Sequence, residues 1–315
     1  MKKIIFNIFA VLILSIVILT GCSKKEDEAK FTIIATSFPG YDFARAITKE
    51  SSDISTKMLL KPGAETHDYE PTPKDIKDIK NSDMFIYVGG ESDAWITNLL
   101  SDIDTSKTKI IKLMDLVEVV SEEYIEGMET IDDNHDNSDE YDEHVWTSPI
   151  NAIKIIEKLK NEISSINDEE KQLYEKNSEN YINEIKQIDN NIRSMVSTSK
   201  RKELIFGDRF PLRYFVLEYG LSYYAAFPGC SDATEVSAKT LAFLINKVKE
   251  DNIPVVFHIE LSNGNIAKAI SKETGTKILE FNSVHNISQE DFDAGKTYVD
   301  FMKNNIEVLN TALNS

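Results

Sequence analysis

The chain has 315 residues, of which 53 are acidic and 35 are lysine or arginine, so its formal net charge is -18 at pH 7. This balance argues against a nucleic-acid partner, because binding to phosphates requires a surplus of basic side chains. A 41% share of apolar residues over this length is sufficient for a core that is held together by burial alone.

Residues 1–21 have the features of a bacterial export signal. Lys2 and Lys3 precede an apolar run that is shorter than the ~20 residues needed to cross a membrane. Leu-Thr-Gly-Cys at 19–22 resembles a lipobox, in which the cysteine is acylated and becomes the new amino terminus. We therefore expect a lipid anchor at Cys22, the alternative being an ordinary signal peptide with a chance cysteine. A charged tether over 22–30 follows, and Cys230 remains as the single thiol.

Short apolar runs then alternate with segments of helical periodicity. The predicted strands cover 31–35, 54–60, 84–88 and 109–113, and the predicted helices cover 41–49, 73–80 and 92–100. This βαβα series predicts a parallel sheet covered by helices, in an N-terminal lobe over 31–165. Residues 122–143 contain eleven acids and no lysine or arginine, which predicts a solvated, mobile loop within that lobe.

A long helical segment follows the acidic loop. A first helix is predicted from Pro149 to about Ile163, and Asn167 is a candidate N-cap for a second helix that reaches about Ser197. Such a helix would be roughly 45 Å long at ~1.5 Å per residue. We predict that residues 166–199 form a rigid connector between two domains.

Beyond the connector the alternation starts again. Strands are predicted over 203–206, 221–225, 254–257 and 277–281, and helices over 212–219, 238–250, 266–273 and 296–313. The C-terminal lobe, residues 200–315, is therefore a second α/β domain. The predicted fold class is α/β, with two lobes that each contain a mainly parallel sheet flanked by helices, joined by one long connecting helix.

The chain has five histidines, the side chains that most commonly bind transition metals. His67 and His285 lie in loops after predicted strands. In open α/β sheets, small molecules and ions bind at this end of the strands. The alternative for His67 is a solvent-exposed loop histidine. The local sequence leaves the role of His144 open. His258 ends a strand, where a packed or hydrogen-bonded histidine is the commoner case, and His135 lies in the acidic segment, where we expect only weak metal capture.

Asp208 follows the predicted strand at 203–206 and is the best-placed carboxylate to complete a ligand set. Its alternative role is a cap or a partner for Arg209. Three imidazoles from His67, His144 and His285 with one carboxylate suit tetrahedral Zn²⁺, whereas Mn²⁺, Mg²⁺ and Ca²⁺ favour more oxygen donors. We therefore predict Zn²⁺, with Mn²⁺ as the alternative.

Several short blocks, in this order, resemble the solute-binding lipoproteins of zinc and manganese ABC transporters. They are H-x-Y-E-P-x-P at 67–73, Gly89-Gly90 with Trp95, H-V-W-x-x-P at 144–149, Y-G-L at 219–221 and T-Y-V-D-F-M-K-N-N at 297–305. The resemblance covers nearly everything after residue 30. It implies two α/β lobes joined by one long helix, and a protein on the extracytoplasmic face of the cell membrane that delivers its metal to an ABC permease.

The resemblance also implies that His67 and His144 are ligands from the N-terminal lobe and that the C-terminal lobe supplies two more. Family members usually have a histidine or glutamate five residues before the tyrosine that corresponds to Tyr214, where this chain has Arg209. A guanidinium has no acceptor and cannot bind a metal. The last family ligand, normally an aspartate, falls within one residue of His285.

The sequence therefore leaves two possibilities for the third metal ligand. Either Asp208 takes the place of the missing ligand, or three protein ligands are completed by water or by Glu260. We expect a monomer. We also expect no enzymatic activity, because no H-E-x-x-H or comparable pair is present. A zinc hydrolase with Glu260 beside a metal-bound water, and a surface adhesin with the same fold, are the alternatives from other classes of protein.

Overall fold

The N-terminal lobe is built on a four-stranded parallel sheet. The structure, a computed structural model, describes residues 29–65, 69–129, 140–231 and 235–315. The strands are β1 (Phe31–Ala35), β2 (Ile54–Met58), β3 (Met84–Tyr87) and β4 (Lys109–Lys112), in the order β2-β1-β3-β4. The helices of this lobe are α1 (Phe38–Ile47), α2 (Pro73–Lys80) and α3 (Ile96–Leu100).

Local sequence explains where α2 begins. The Thr72 hydroxyl accepts a hydrogen bond from the Asp75 N–H, and the Asp75 carboxylate accepts one from the Thr72 N–H, which together form a capping box. Pro73 occupies the first turn, where its missing N–H costs nothing. This cap fixes the end of the loop that contains the H-x-Y-E-P-x-P block.

Two helices, α4 (Pro149–Ile166) and α5 (Lys171–Ser197), connect the lobes. The 27 residues of α5 span roughly 40 Å at ~1.5 Å per residue. The sequence predicted the long helix, but the predicted start, with Asn167 as the N-cap, is wrong. Asn167 follows the last turn of α4 instead of capping α5, and its side-chain amide donates to the Tyr174 hydroxyl at 3.1 Å.

The C-terminal lobe repeats the architecture of the first. Its strands are β5 (Glu203–Phe210), β6 (Ser222–Pro228), β7 (Val255–Ile259) and β8 (Lys277–Phe281), in the parallel order β6-β5-β7-β8. Its helices are α6 (Arg213–Tyr219), α7 (Ala238–Glu250), α8 (Asn265–Thr274), α9 (Gln289–Asp293) and α10 (Tyr298–Asn314). The predicted fold class, two parallel-sheet α/β lobes flanked by helices, is confirmed.

The lobes are joined by more than the connector, because α10 returns to the N-terminal lobe. The Tyr298 N–H donates to the buried Asp42 carboxylate at 2.9 Å, and the Tyr298 hydroxyl donates to the Trp146 carbonyl at 3.1 Å. Asp42 also accepts a hydrogen bond from the Tyr181 hydroxyl on α5. A buried polar network therefore ties both lobes and the connector together behind the cleft.

The described ends of the acidic segment pack against the protein. Glu122 pairs with Glu140 through a backbone hydrogen bond of 2.9 Å, and the Glu129 N–H donates to the Ala226 carbonyl of the C-terminal lobe. Asp142 and Glu143 are fully buried. The prediction of a solvated segment is therefore wrong for Asp142 and Glu143, whereas Glu126, Glu140 and Tyr141 are exposed; the centre of the segment, 130–139, lies outside the described residues.

Among the residues that the structure describes, no helix is both long enough and apolar enough to span a membrane.

Candidate metal centre

A cleft lies between the lobes, next to the carboxyl ends of the central strands. In each sheet the strand order changes direction between the first and third strands of its lobe, which is where open α/β sheets bind ligands. The space in the cleft amounts to roughly 350 Å³, part of which is open to solvent, and segments of both lobes form its walls. The polar and charged residues that line it include Glu65, His144, Arg209, Glu260 and His285.

Two predicted ligands and one unpredicted acid meet in this cleft. The rings of His144 and His285 have centroids 5.3 Å apart and are nearly perpendicular, at 88°. One donor atom each from Glu143, His144 and His285 all lie within 4.8 Å of one another, and all three residues are buried. Two imidazoles and a carboxylate at this spacing can bind one divalent cation.

A neighbouring carboxylate orients His144. Asp142 Oδ1 lies 3.1 Å from His144 Nδ1 and accepts the His144 backbone N–H at 2.8 Å. Burial lowers the pKa of His144, but the negative charges of Asp142, Glu143 and Glu122 outweigh it and raise the pKa above the ordinary value. A carboxylate on the far nitrogen of an imidazole is the usual second-sphere partner of a histidine that binds metal.

Glu143 is held by the loop after β3. Its carboxylate accepts hydrogen bonds from the Ser92 N–H, at 3.1 Å, and from the Ser92 hydroxyl. Burial raises the pKa of Glu143 to about 7, and it raises that of nearby Asp93 to about 6. Gly90 passes so close that an added Cβ would lie 2.7 Å from the Glu143 Cβ. Any side chain at position 90 would therefore overlap with Glu143.

The loop after β8 carries His285 and is held by Glu260. The Glu260 carboxylate accepts hydrogen bonds from the Ser283 N–H and hydroxyl, both at 2.6 Å, and from the His285 N–H at 3.1 Å. Val284 between them has a φ of 61°, which is strained for a β-branched residue. The hydrogen bonds to Glu260 lie on both sides of Val284 and hold the backbone of this loop, including that of His285, in place.

Asp208 does not join this group of donor atoms. Its carboxylate accepts the Arg209 N–H at 2.8 Å and the Ile259 N–H at 3.3 Å, so it ties β5 to β7. Glu260 lines the cleft but is likewise outside the group of donor atoms that lie within 4.8 Å. The roles of Asp208 and Glu260 as ligands stay predictions. So do the metal-binding roles of His67 and His135 and the lipid anchor at Cys22, because these three residues lie outside the described residues.

His258 and Arg209, two further residues considered from the sequence, each have a defined interaction partner. His258 Nδ1 lies 2.9 Å from the Ile259 carbonyl, in keeping with the hydrogen-bonded role expected for it. Arg209, at the position where the resemblance implies a ligand, forms an ion pair with Glu65 at 2.8 Å. The cleft wall therefore carries a neutralised guanidinium at that position.

Sequence reasoning missed Glu143 and Asp142. They are two of the eleven acids in 122–143, and composition alone cannot separate them from the others. A usable signal was present in the Asp-Glu-His triplet at 142–144, because an acid two residues before a predicted ligand can reach its ring.

The fold and this cleft define a two-lobed binding protein, in which imidazole and carboxylate groups that can bind a metal lie between the lobes. Residues 33–312 match the family described as "Zinc-uptake complex component A periplasmic". The chain belongs to this family, which is one of transport components and not of enzymes.

Named relatives agree with this assignment. The zinc-binding lipoprotein AdcA of Streptococcus pneumoniae is 30% identical over 292 residues, which are 92% of this chain and 58% of AdcA. The chain thus spans little more than half the length of that relative. The high-affinity zinc uptake system protein ZnuA of Bacillus subtilis is 31% identical over 284 residues, which are 90% of this chain and 88% of ZnuA.

Solved structures share the fold. The Zn(II)-bound ZnuA-like domain of S. pneumoniae AdcA superimposes with a TM-score of 0.74 at 28% identity, over 91% of this chain and 100% of that domain. The laminin-binding protein Lmb of Streptococcus agalactiae, described as an adhesin with metal-transporting activity, has a TM-score of 0.74 at 22% identity, over 90% of this chain and 100% of its own. At that identity the likeness concerns the fold alone.

Proposed function

We propose that this protein captures Zn²⁺ in the cleft between its lobes and delivers it to the permease of an ABC importer on the extracytoplasmic face of the membrane. The observation that carries the proposal is the convergence of Glu143, His144 and His285 within 4.8 Å. Membership of a zinc-uptake family and the names of the relatives AdcA and ZnuA support it.

We assign His144 and His285 as the central ligands, with Glu143 as an oxygen donor and His67 as a further ligand predicted from sequence. Asp142 would hold the proton of His144 on Nδ1, which makes Nε2 the metal-binding nitrogen. A set dominated by imidazole suits Zn²⁺ better than Mn²⁺, which prefers more oxygen donors. Manganese is accordingly the weaker candidate.

Calorimetry on the purified chain tests the ligand assignment. We expect one tightly bound Zn²⁺, and a loss of affinity of at least about 100-fold in His144→Ala, His285→Ala and His67→Ala, because each removes a direct ligand. His258→Ala is the matched control, since this histidine is hydrogen-bonded to Ile259 O, away from the donor group, and should leave the affinity unchanged. Unaltered zinc binding in His144→Ala would refute the assignment.

We further propose that Cys22 is acylated and anchors the protein to the membrane. The lipobox-like Leu-Thr-Gly-Cys at 19–22 supports this, and the relative AdcA is described as a lipoprotein. In cells fed labelled palmitate, Cys22→Ser should lose the label and appear in the medium, because one thiol carries the attachment. Cys230→Ser is the control; equal labelling of both variants would contradict the anchor.

A role as an adhesin receives support only from the fold shared with Lmb. Binding of the purified chain to immobilised laminin, compared with binding to albumin, tests that alternative directly.

A further inference from the structure

Glu65 and Arg209 form an ion pair that bridges the two lobes at the edge of the cleft. Arg209 Nη2 lies 2.8 Å from Glu65 Oε2 and Nη1 lies 3.4 Å from Oε1, so two N–H groups face one carboxylate. Arg209 Nη1 also donates to the Ser231 carbonyl at 3.2 Å, which fixes the guanidinium on the C-terminal lobe. Only 16% of the Arg209 side chain is exposed, so the pair is partly shielded from water.

The same segment of the N-terminal lobe is tied to the loop that carries His285. The buried Asn286 amide donates to the carbonyls of Lys61 and Ala64, at 2.9 and 2.8 Å. The Gly63 N–H donates to the Ile287 carbonyl at 2.7 Å. Residues 61–65 therefore rest on the C-terminal lobe at several points, and the ion pair is more exposed than the hydrogen bonds of Asn286.

The ion pair also neutralises the positive charge of Arg209 beside the metal centre. Arg209 lines the same cleft as His144 and His285, and a guanidinium there would repel an incoming cation. Pairing with Glu65 neutralises that charge. The ion pair can therefore tie the lobes together without adding a net positive charge beside the metal.

We propose that Glu65 and Arg209 are positioning residues that clamp segment 61–65 to the C-terminal lobe and thereby slow the release of the bound cation. This inference rests on the proposed capture of zinc and adds a rate-setting element to it. Rupture of the pair would loosen one edge of the cleft, so that the metal escapes faster while His144 and His285 remain in place.

The test measures the rate at which zinc-loaded protein loses its metal to an excess of a chromogenic chelator. We expect Glu65→Gln and Arg209→Gln each to release zinc about fivefold faster, the effect of losing one partly exposed ion pair. The charge-swapped double variant, Glu65→Arg with Arg209→Glu, should return to within about twofold of the wild type. Simple electrostatics predicts something different: Glu65→Gln would speed release, and Arg209→Gln would slow it.

Lys303→Gln is the matched control, because it removes a cation from an exposed ion pair with Glu184 that is not part of the cleft. Opposite signs for the two single variants, wild-type release rates in both, or a double variant no slower than the singles would overturn the clamp. If the wild type itself bound no zinc, the proposed function would fall and the clamp with it. Normal zinc binding with any of the first three results would remove the clamp alone.

Discussion

At the scale of single residues, Gly90 determines how closely the backbone can approach the acid of the metal centre. Its φ of 82° lies in the left-handed region, which favours glycine. An added Cβ would also lie 2.7 Å from the Glu143 Cβ, nearer than real side chains approach. Both the conformation and the space at this position require the absence of a side chain.

Gly90→Ala should therefore lower the free energy of unfolding of the metal-free protein by ~2–5 kcal/mol, the sum of backbone strain and steric overlap. It should also weaken zinc binding, because the alanine displaces Glu143. Chemical denaturation and calorimetry measure the two effects.

Gly220→Ala is the control, because Gly220 has a similar φ of 62° and an added Cβ there would meet nothing within 4 Å. This variant should show only the strain, ~1–2 kcal/mol, with unchanged zinc affinity. Equal losses of stability in the two variants would show that overlap with Glu143 has no part in the effect.

The sequence was more informative about the histidines of the cleft than about its acids. Histidines are few in this chain, so its place after a predicted strand singled out His285, and the family resemblance added His144. The structure brings the centroids of these two rings within 5.3 Å. Acids are many, and Glu143, the acid that joins these histidines, is marked only by its place in the Asp-Glu-His triplet at 142–144. The partner of Arg209 could not be foreseen either, because Glu65 is 144 residues away in the chain.

At the scale of elements, buried parallel strands could be predicted because they appear as continuous apolar runs bounded by polar residues. The prediction for β5 ended at Phe206, where Gly-Asp-Arg interrupts the run. The strand continues to Phe210 through a shift in its register with β6 between Phe206 and Arg209. Such an irregularity is set by the neighbouring strand, which local sequence does not contain.

Helix ends were similarly ambiguous. Asn167 followed by three acids has the composition of a helix start, yet α5 begins at Lys171. The Asn167 side chain instead bonds to Tyr174, which is fully buried. The contact with buried Tyr174 therefore engages the side chain that local composition indicates as the cap, and tertiary context overrides the local preference.

At the scale of the whole molecule, contacts behind the cleft limit how far the lobes can separate. The Trp146 indole N–H donates to the Ser283 carbonyl at 2.8 Å, across the lobes and next to His285. Tyr298 adds its bonds to Asp42 and to the Trp146 carbonyl. These groups are buried, so opening the cleft widely would leave several polar atoms without partners.

Zinc binding should therefore change the shape of the molecule very little. We expect the radius of gyration from small-angle X-ray scattering to agree within about 1 Å between metal-free and zinc-loaded protein, as for other preorganised binding sites. Trp146→Phe, which keeps the ring but loses the bond to Ser283, should permit a larger difference between the two states. A wild type that contracts by several ångströms on loading would mean that the buried contacts break in the metal-free state, and release would then be governed by domain opening and not by the loops of the cleft.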